Sequence, residues 1–457
     1  MGFLISLVYI VLAILSPSEM LPALAPYRIE LWLALLATLS SLPAVLEGRV
    51  SFPAQTGFLV AVLFCLVGSF AWIGWFGGII PALGNFLPNA IVFYLVLVNF
   101  RTIKRLRWLA IVLLLASLYL VIRGSIAYFG GNPNDPMIFA QWNEDNTAWF
   151  PRMRAFGFLN DPNDLAQFLI SFAPLLWLQW QAGRFLINSW RVLLPAVVLL
   201  VGVFLTHSRG GIVALAAVAL FAFKDRLGRT RSAILAAIAF IAMQVFSFAG
   251  GRDVSMSAGT DRIDKWSEAL EVIRSSPLFG IGYGQFYENY GWVTHNSYLH
   301  CAAELGMFGY FFWMALTVSS MSDLASIAHW DTPNDQDPET VKIHDEAYNH
   351  ALEPVSLPHH STQSVQETDD RETLRRWAKL LGIAFVGYLA AAFFLSRAYT
   401  LTLFLLVGVS AVLRGLMHDS EYPTRFKSWK QLLRLTGLLS VGMLLTMYII
   451  VRIHWLK

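Results

Sequence analysis

Apolar runs of membrane-spanning length recur along the whole chain. They fall at roughly 3–16, 29–46, 57–75, 82–99, 107–128, 163–182, 190–206, 210–224, 232–249, 297–321, 379–396, 399–414 and 435–453. A helix crossing a bilayer needs about 20 apolar residues, and every backbone polar group inside lipid must be satisfied within the segment. Of the 457 residues, 56% are hydrophobic and 14% are charged, against about 25% charged in a soluble domain. The pattern predicts an all-α polytopic membrane protein of about 12–13 transmembrane helices. Cys65 and Cys301 both lie inside apolar runs, so no disulfide framework is implied. Residues 2–15 have no basic start and no small-residue cleavage site after them. They read as a retained helix, not a signal peptide.

Lysine and arginine in short loops set the orientation. Arg101, Lys104, Arg105 and Arg107 crowd one loop, and Arg184 and Arg191 flank another. Lys224, Arg226, Arg229 and Arg231 crowd a third; Arg425, Lys427, Lys430 and Arg434 crowd a fourth. With the spans above, all four loops fall on one side, which is taken as the cytoplasm, with the N-terminus inside. Four regions follow: N-terminal membrane helices in 1–128, a core in 129–322, an acidic segment in 323–377, and C-terminal membrane helices in 378–457. The acidic segment is Pro-rich and carries His329, His344, His350, His359 and His360 at irregular spacing. Such a composition predicts a cytoplasmic loop without fixed structure, and no metal site is expected there.

Two long loops, 129–162 and 250–296, and the turn His207-Ser208-Arg209-Gly210-Gly211 lie on the other side. In the second loop Ile263, Trp266, Leu270 and Ile273 repeat at helical spacing. Asp261 is read as the cap of that helix, with Pro277 and Gly280 ending it. The helix is expected to lie flat on the outer membrane surface, apolar face down.

Arginines on that face run against the positive-inside bias. Arg209, with Ser208 before it and Gly210 and Gly211 after it, opens a helix whose uncovered N–H groups favour an anion. The competing reading is an interface arginine on lipid headgroups. Arg262 is read at the positive dipole end of the outer helix, a poor place for a cation unless an anion joins it. Its alternative is an ion pair with Asp261 or Asp264. Arg152 and Arg154 precede the turn Asn160-Asp161-Pro162-Asn163-Asp164. There Asp161 or Asn163 is expected to cap the next helix, with an acid, base or ligand role as the alternative. His295 starts a membrane helix, whose dipole favours the neutral imidazole, a form suited to a general base. Its alternative is a capping or interface histidine. His300 and Glu304, one turn apart, are expected to pair. Gly280-Ile281-Gly282-Tyr283-Gly284 follows no strand and faces outward, so a nucleotide reading fails. It is read as a flexible loop.

Three of these pieces together resemble the O-antigen ligase and polymerase superfamily of bacterial envelope glycosyltransferases. They are Ser208-Arg209-Gly210-Gly211; Arg262 with Trp266 and Pro277-Leu278-Phe279-Gly280-Ile281-Gly282; and His295-Asn296-Ser297-Tyr298-Leu299 leading to Glu304-Leu305-Gly306 and Gly309. Gly157-Phe158-Leu159-Asn160-Asp161-Pro162-Asn163 is a weaker fourth. The resemblance covers roughly 150–320; the two ends of the chain match only in hydropathy, and 324–377 has no counterpart in the family pattern.

The resemblance implies a GT-C-like architecture in the cell inner membrane with a periplasmic site. It implies transfer of a glycan from a polyprenyl-pyrophosphate donor to an acceptor hydroxyl on another glycan, a lipid A core or a protein. No cofactor, metal or nucleic acid is expected, and membrane lipid is a partner. Arg209 and Arg262 are expected to hold the pyrophosphate, and His295 to activate the acceptor. Arg154, Asn160, Asp161, Ser208, Gly210, Asn296 and Tyr298 are expected to contact substrate. A single displacement predicts inversion at the anomeric carbon. Trp142, Trp149, Tyr283, Tyr287 and Trp292 are candidates to stack on sugars or to anchor at the interface. The alternative is a transporter or flippase of lipid-linked glycans, which calls for ionisable groups at mid-membrane and repeated halves. The sequence offers few of the former and none of the latter.

Overall fold

A computed structural model describes residues 2–142, 147–249, 257–329, 361–418 and 426–455. Its main helices are α1 (Gly2–Leu15), α2 (Ile29–Leu46), α3 (Ala54–Trp72), α4 (Ile79–Asn99), α5 (Ile103–Gly130), α6 (Pro162–Phe172) and α7 (Leu194–Leu205). They continue with α8 (Arg209–Ala249), α9 (Ser257–Ser275), α10 (Gln285–Tyr290), α11 (Ser297–Ala328), α12 (Ser361–Ala392), α13 (Leu401–His418) and α14 (Trp429–Trp455). A single antiparallel hairpin, β1 (Ile138–Trp142) with β2 (Trp149–Met153), interrupts them and places Trp142 opposite Trp149.

The helical membrane class expected from the apolar runs is what is observed. Seven helices among the described residues are long and apolar enough to cross a bilayer, with α1 and residues Leu401–Met417 of α13 apolar but shorter. The difference from the twelve or thirteen expected has local causes. The run read at 163–182 is not one helix: α6 stops at Phe172, and Pro174, which lacks an N–H, leads a 3₁₀ stretch from Ala173 to Gln179. The runs read at 210–224 and 232–249 are the two helical segments of α8, which meet at a non-helical Gly228, φ 75° and ψ 161°. The acidic segment is helical where it is described, at its two ends; residues 330–360, with His344, His350, His359 and His360, lie outside the described residues.

Helix α11 is the axis of the fold. Of its most apolar stretch, 78% is buried, against 39% or less for each of the other six spans. It packs on α3, α12, α13 and α14, and its Tyr310 and Trp313 are fully buried in the same core as Tyr388 and Phe385 of α12. The outer helices keep large apolar side chains on the surface, such as Leu39, Phe64, Phe129 and Leu438. That is a liability in water and the ordinary condition in lipid. At one end of the bundle Asp323 of α11, 1% exposed, is held by Arg414 Nη1 at 2.6 Å and Gln55 Nε2 at 2.7 Å. A buried carboxylate needs such partners, and these fasten α3, α11 and α13 together. The candidate site lies at the other end of α11.

Candidate functional site

Phe393 to Arg397, the link between α12 and α13, touches each of the segments singled out in the sequence. Phe394 covers the start of α8: a Cβ added to Gly210 would lie 2.8 Å from Phe394 Cβ. The Phe393 ring meets Trp266, one turn beyond Arg262, edge to face at 5.7 Å. Four hydrogen bonds tie the strap to the histidine segment. Thr294 and Ser396 hydroxyls share one at 2.9 Å, Asn296 Nδ2 donates to Phe393 O at 3.0 Å, Ser297 Oγ donates to Leu395 O at 2.5 Å, and Arg397 N donates to Ser297 Oγ at 3.0 Å. Arg397 Nε also sits 2.8 Å from Asp164 Oδ2, immediately after the fourth, weaker motif. The segments carrying Arg209, Arg262 and His295 therefore converge on one strap.

The backbone at His295 is held in the left-handed region, φ 51°, where residues other than glycine are uncommon. Its neighbours fix it there. Thr294 and Asn296 are both fully buried. Thr294 Oγ1 donates to Asn296 O at 2.9 Å, and Asn296 Oδ1 caps α11 by accepting from Tyr298 N and Leu299 N, each at 3.0 Å. His295 itself is half-buried. A residue pinned on both sides in this region carries strain of the kind that sites store. His300 and Glu304 pair as expected, Nε2 to Oε1 3.3 Å.

His207, φ 49° and buried, has the same backbone conformation two residues before α8 that His295 has two residues before α11. Its Nε2 meets Tyr128 OH at 3.0 Å. Ser208 is 2% exposed, and its Oγ accepts from Gly211 N at 3.1 Å. One of the N–H groups expected to be open to an anion is thus consumed by the cap, and Gly210 is covered by Phe394. Arg209, half-buried, is left as the charged group of this turn. Arg152 holds the turn from outside: it is buried, donates from Nε to Thr206 O at 3.1 Å, and donates from Nη2 to Asn163 Oδ1 at 3.2 Å.

The outer helix differs from expectation in both its start and its support. It is already formed at Ser257, so Asp261 lies within it and is not its cap. Arg262, half-buried, is a turn and a half inside and not at the dipole end. Its buried face, Trp266, Ala269 and Val272, rests on Leu299 and Ala303 of α11 and on Met447 and Val451 of α14. Protein, not lipid, covers that face.

The glycine loop is bonded to the backbone of α11. Ile281 N donates to Ala303 O and Gly282 N to Glu304 O, both at 3.0 Å, and Met307 N donates to Pro277 O at 2.8 Å. The loop lies in a break of α11 at Gly306, φ 66°. A Cβ on Gly280 would meet the Glu304 carbonyl carbon at 2.4 Å, and one on Gly306 the Leu278 oxygen at 2.2 Å. The two motif pieces are thus halves of one backbone contact.

The other expected contacts divide. Asp161 caps α6, accepting from Asn163 N at 2.7 Å. Arg154 donates to Pro136 O and Asn160 O, bracing the hairpin, and Asn160 is exposed. Asn296 is fully buried with its side-chain groups spent on α11 and Phe393, so it positions His295 and is closed to a ligand. Tyr298 OH donates to Leu389 O at 3.1 Å. Its ring lines an open apolar groove of about 460 Å³ with Val213, Leu389, Phe393, Phe394 and Met443. Tyr283 packs against Phe86 and Tyr399; burial raises its phenol well above the usual value. Of the remaining aromatics, Trp142 and Tyr287 are exposed, Trp149 is half-buried, and Trp292 is held by Glu268 at 2.9 Å.

The strap itself was not among the sequence candidates. Arg397 carried the signal already used for Arg209: an arginine in a short turn on the less basic face.

No curated protein matches the chain. Residues 194–314, from the helix before Arg209 to the middle of the helix after His295, match the family model described as O-Antigen ligase.

Proposed function

We propose that this protein transfers a glycan from a polyprenyl-pyrophosphate donor to an acceptor hydroxyl at the periplasmic face of the inner membrane. The observation that carries the reading is His295. It is half-exposed and left-handed between two fully buried neighbours, and the strap that fixes it also covers the start of the Arg209 helix.

The chemistry follows from the groups. His295 takes the acceptor O–H proton as the oxygen attacks the anomeric carbon. The bond from that carbon to the pyrophosphate oxygen breaks, and the leaving pyrophosphate keeps the electron pair. Arg209 and Arg262 stabilise the charge that develops there, most strongly where water is scarce. One displacement inverts the anomeric centre. The open apolar groove beside Phe394 and Tyr298 suits the first units of a prenyl chain. No step calls for a metal or a nucleotide sugar. The acceptor class, whether glycan, lipid A core or protein, separates ligase from polymerase.

The experiment is transfer by purified protein in detergent, given lipid-linked glycan and acceptor hydroxyl. Product with inverted linkage is expected. A transporter makes none without two compartments, and that result overturns the reading.

A further inference from the structure

Arg397 lies outside the matched segment 194–314 and beyond the reach of the sequence motifs, in a turn facing the same end of the bundle as His295. Its main chain is fixed twice: N–H donates to Ser297 Oγ at 3.0 Å, and its carbonyl accepts from Tyr388 OH at 3.3 Å. Its side chain is asymmetric in its surroundings. Nε pairs at 2.8 Å with Asp164, whose side chain is 3% exposed, while the Arg397 side chain is 45% exposed. Among the described residues no acceptor meets its two terminal amino nitrogens. The strap is already held by four hydrogen bonds to Thr294, Asn296 and Ser297, so the ion pair is not needed to anchor it. The pair is a charge contact and not an aligned hydrogen bond, since Asp164 Oδ2 has no hydrogen-bond partner among the described residues; it holds the guanidinium near its Nε edge. A guanidinium held by Nε turns its remaining fork outward, in the geometry that grips a phosphate oxygen pair.

We propose that Arg397 is a third substrate-binding arginine of this site, aimed by Asp164 at the donor's pyrophosphate. The proposal rests on the donor reading given above. Asp164 is then a positioning residue: it fixes Nε and leaves both amino nitrogens to the ligand. Arg397 also sits on the strap that covers the first helical residues after Arg209 and meets Trp266 of the Arg262 helix through Phe393.

The test uses the full chain in phosphatidylcholine nanodiscs, with farnesyl pyrophosphate as probe and binding read as a ligand-dependent rise in thermal midpoint. Arg209→Ala and Arg262→Ala report on the donor reading itself. If both bind the probe as wild type does, that reading fails. Two variants report on Arg397. Asp164→Asn/Arg397→Gln removes both charges and leaves no buried carboxylate behind. Arg397→Lys keeps the ion pair and loses the fork. Each is expected to weaken probe affinity by about tenfold to a hundredfold, the loss of one charge-assisted pair. If Arg209→Ala weakens binding but Arg397→Lys binds as wild type, Arg397 is a structural partner of Asp164 and the proposal is overturned. Adding phosphatidylglycerol is the last arm. If it abolishes the difference between wild type and Arg397→Lys, the anion held is a lipid headgroup, which also overturns it.

Discussion

Thr294 Oγ1 and Ser396 Oγ lie 2.9 Å apart, joining the residue before His295 to the turn between α12 and α13. The same Thr294 hydroxyl donates to Asn296 O, so one buried atom spans the strained residue and ties it to the strap. Thr294→Val keeps the shape and removes both bonds together with the one Thr294 Oγ1 accepts from Asn296 N at 3.3 Å. Leaving buried partners unsatisfied costs about 1–3 kcal/mol. The turnover number is expected to fall more than donor affinity, because the histidine and not the phosphate contact loses its support. Steady-state kinetics on the purified variant check this, and unchanged turnover would show that the strap does not position His295.

His295 carries opposite demands from stability and activity. A left-handed backbone costs a residue with a Cβ about 1 kcal/mol more than it costs glycine. His295→Gly is therefore expected to fold with a thermal midpoint close to that of wild type, offsetting lost side-chain contacts with relieved strain. Transfer should drop by about 10²-fold or more, the contribution of a general base. The pairing of the two readouts is the test: a stable variant that still transfers at the wild-type rate removes His295 from the chemistry.

Arg209→Ala and Arg262→Ala are expected to reduce glycan transfer in cells by about 10²-fold or more each, with the protein still accumulating in the membrane. Arg209→Lys is the finer probe. Lysine supplies charge without the planar fork, so activity should remain well below wild type. Full activity with lysine would rule out a two-pronged grip on phosphate at this position, and near-normal transfer in all the alanine variants would end the donor reading.

The spans were legible because a lipid helix is written in consecutive residues: α3 at Ala54–Trp72 and α4 at Ile79–Asn99 lie within a few residues of their apolar runs. Ends and breaks were less so. Asp261 looked like a cap because any Asp before an apolar repeat does, while the helix had already begun at Ser257. The break at Gly306 was hidden because it sits inside an unbroken apolar run and is stabilised by a distant loop, not by its neighbours. The motif residues could be found, but their division of labour could not. Asn296, Ser208 and Asp161 bond to backbone N–H groups within three residues, and nothing in their identity distinguishes a cap from a ligand contact. Arg397 and Asp164 meet across most of the chain, a pairing that no local pattern records.

Gly280 and Gly306 supply the last prediction. Both have positive φ, and a Cβ on either would approach the other strand of the contact within 2.4 Å. Neither neighbour can yield, because the atoms met are backbone: the Glu304 carbonyl for Gly280 and the Leu278 carbonyl for Gly306. Gly280→Ala and Gly306→Ala thus combine left-handed strain with overpacking, about 1–3 kcal/mol from each source. Both should lower membrane accumulation and thermal midpoint, and the double variant should cost less than the sum, since either change alone already separates the loop from α11. Gly284, also at positive φ but with open space around it, is the control: alanine there meets strain without a clash and should be the mildest of the three. If Gly280→Ala accumulates as well as Gly284→Ala, the loop is not seated in the break of α11, and the outer segment that carries Arg262 has no fixed position relative to His295.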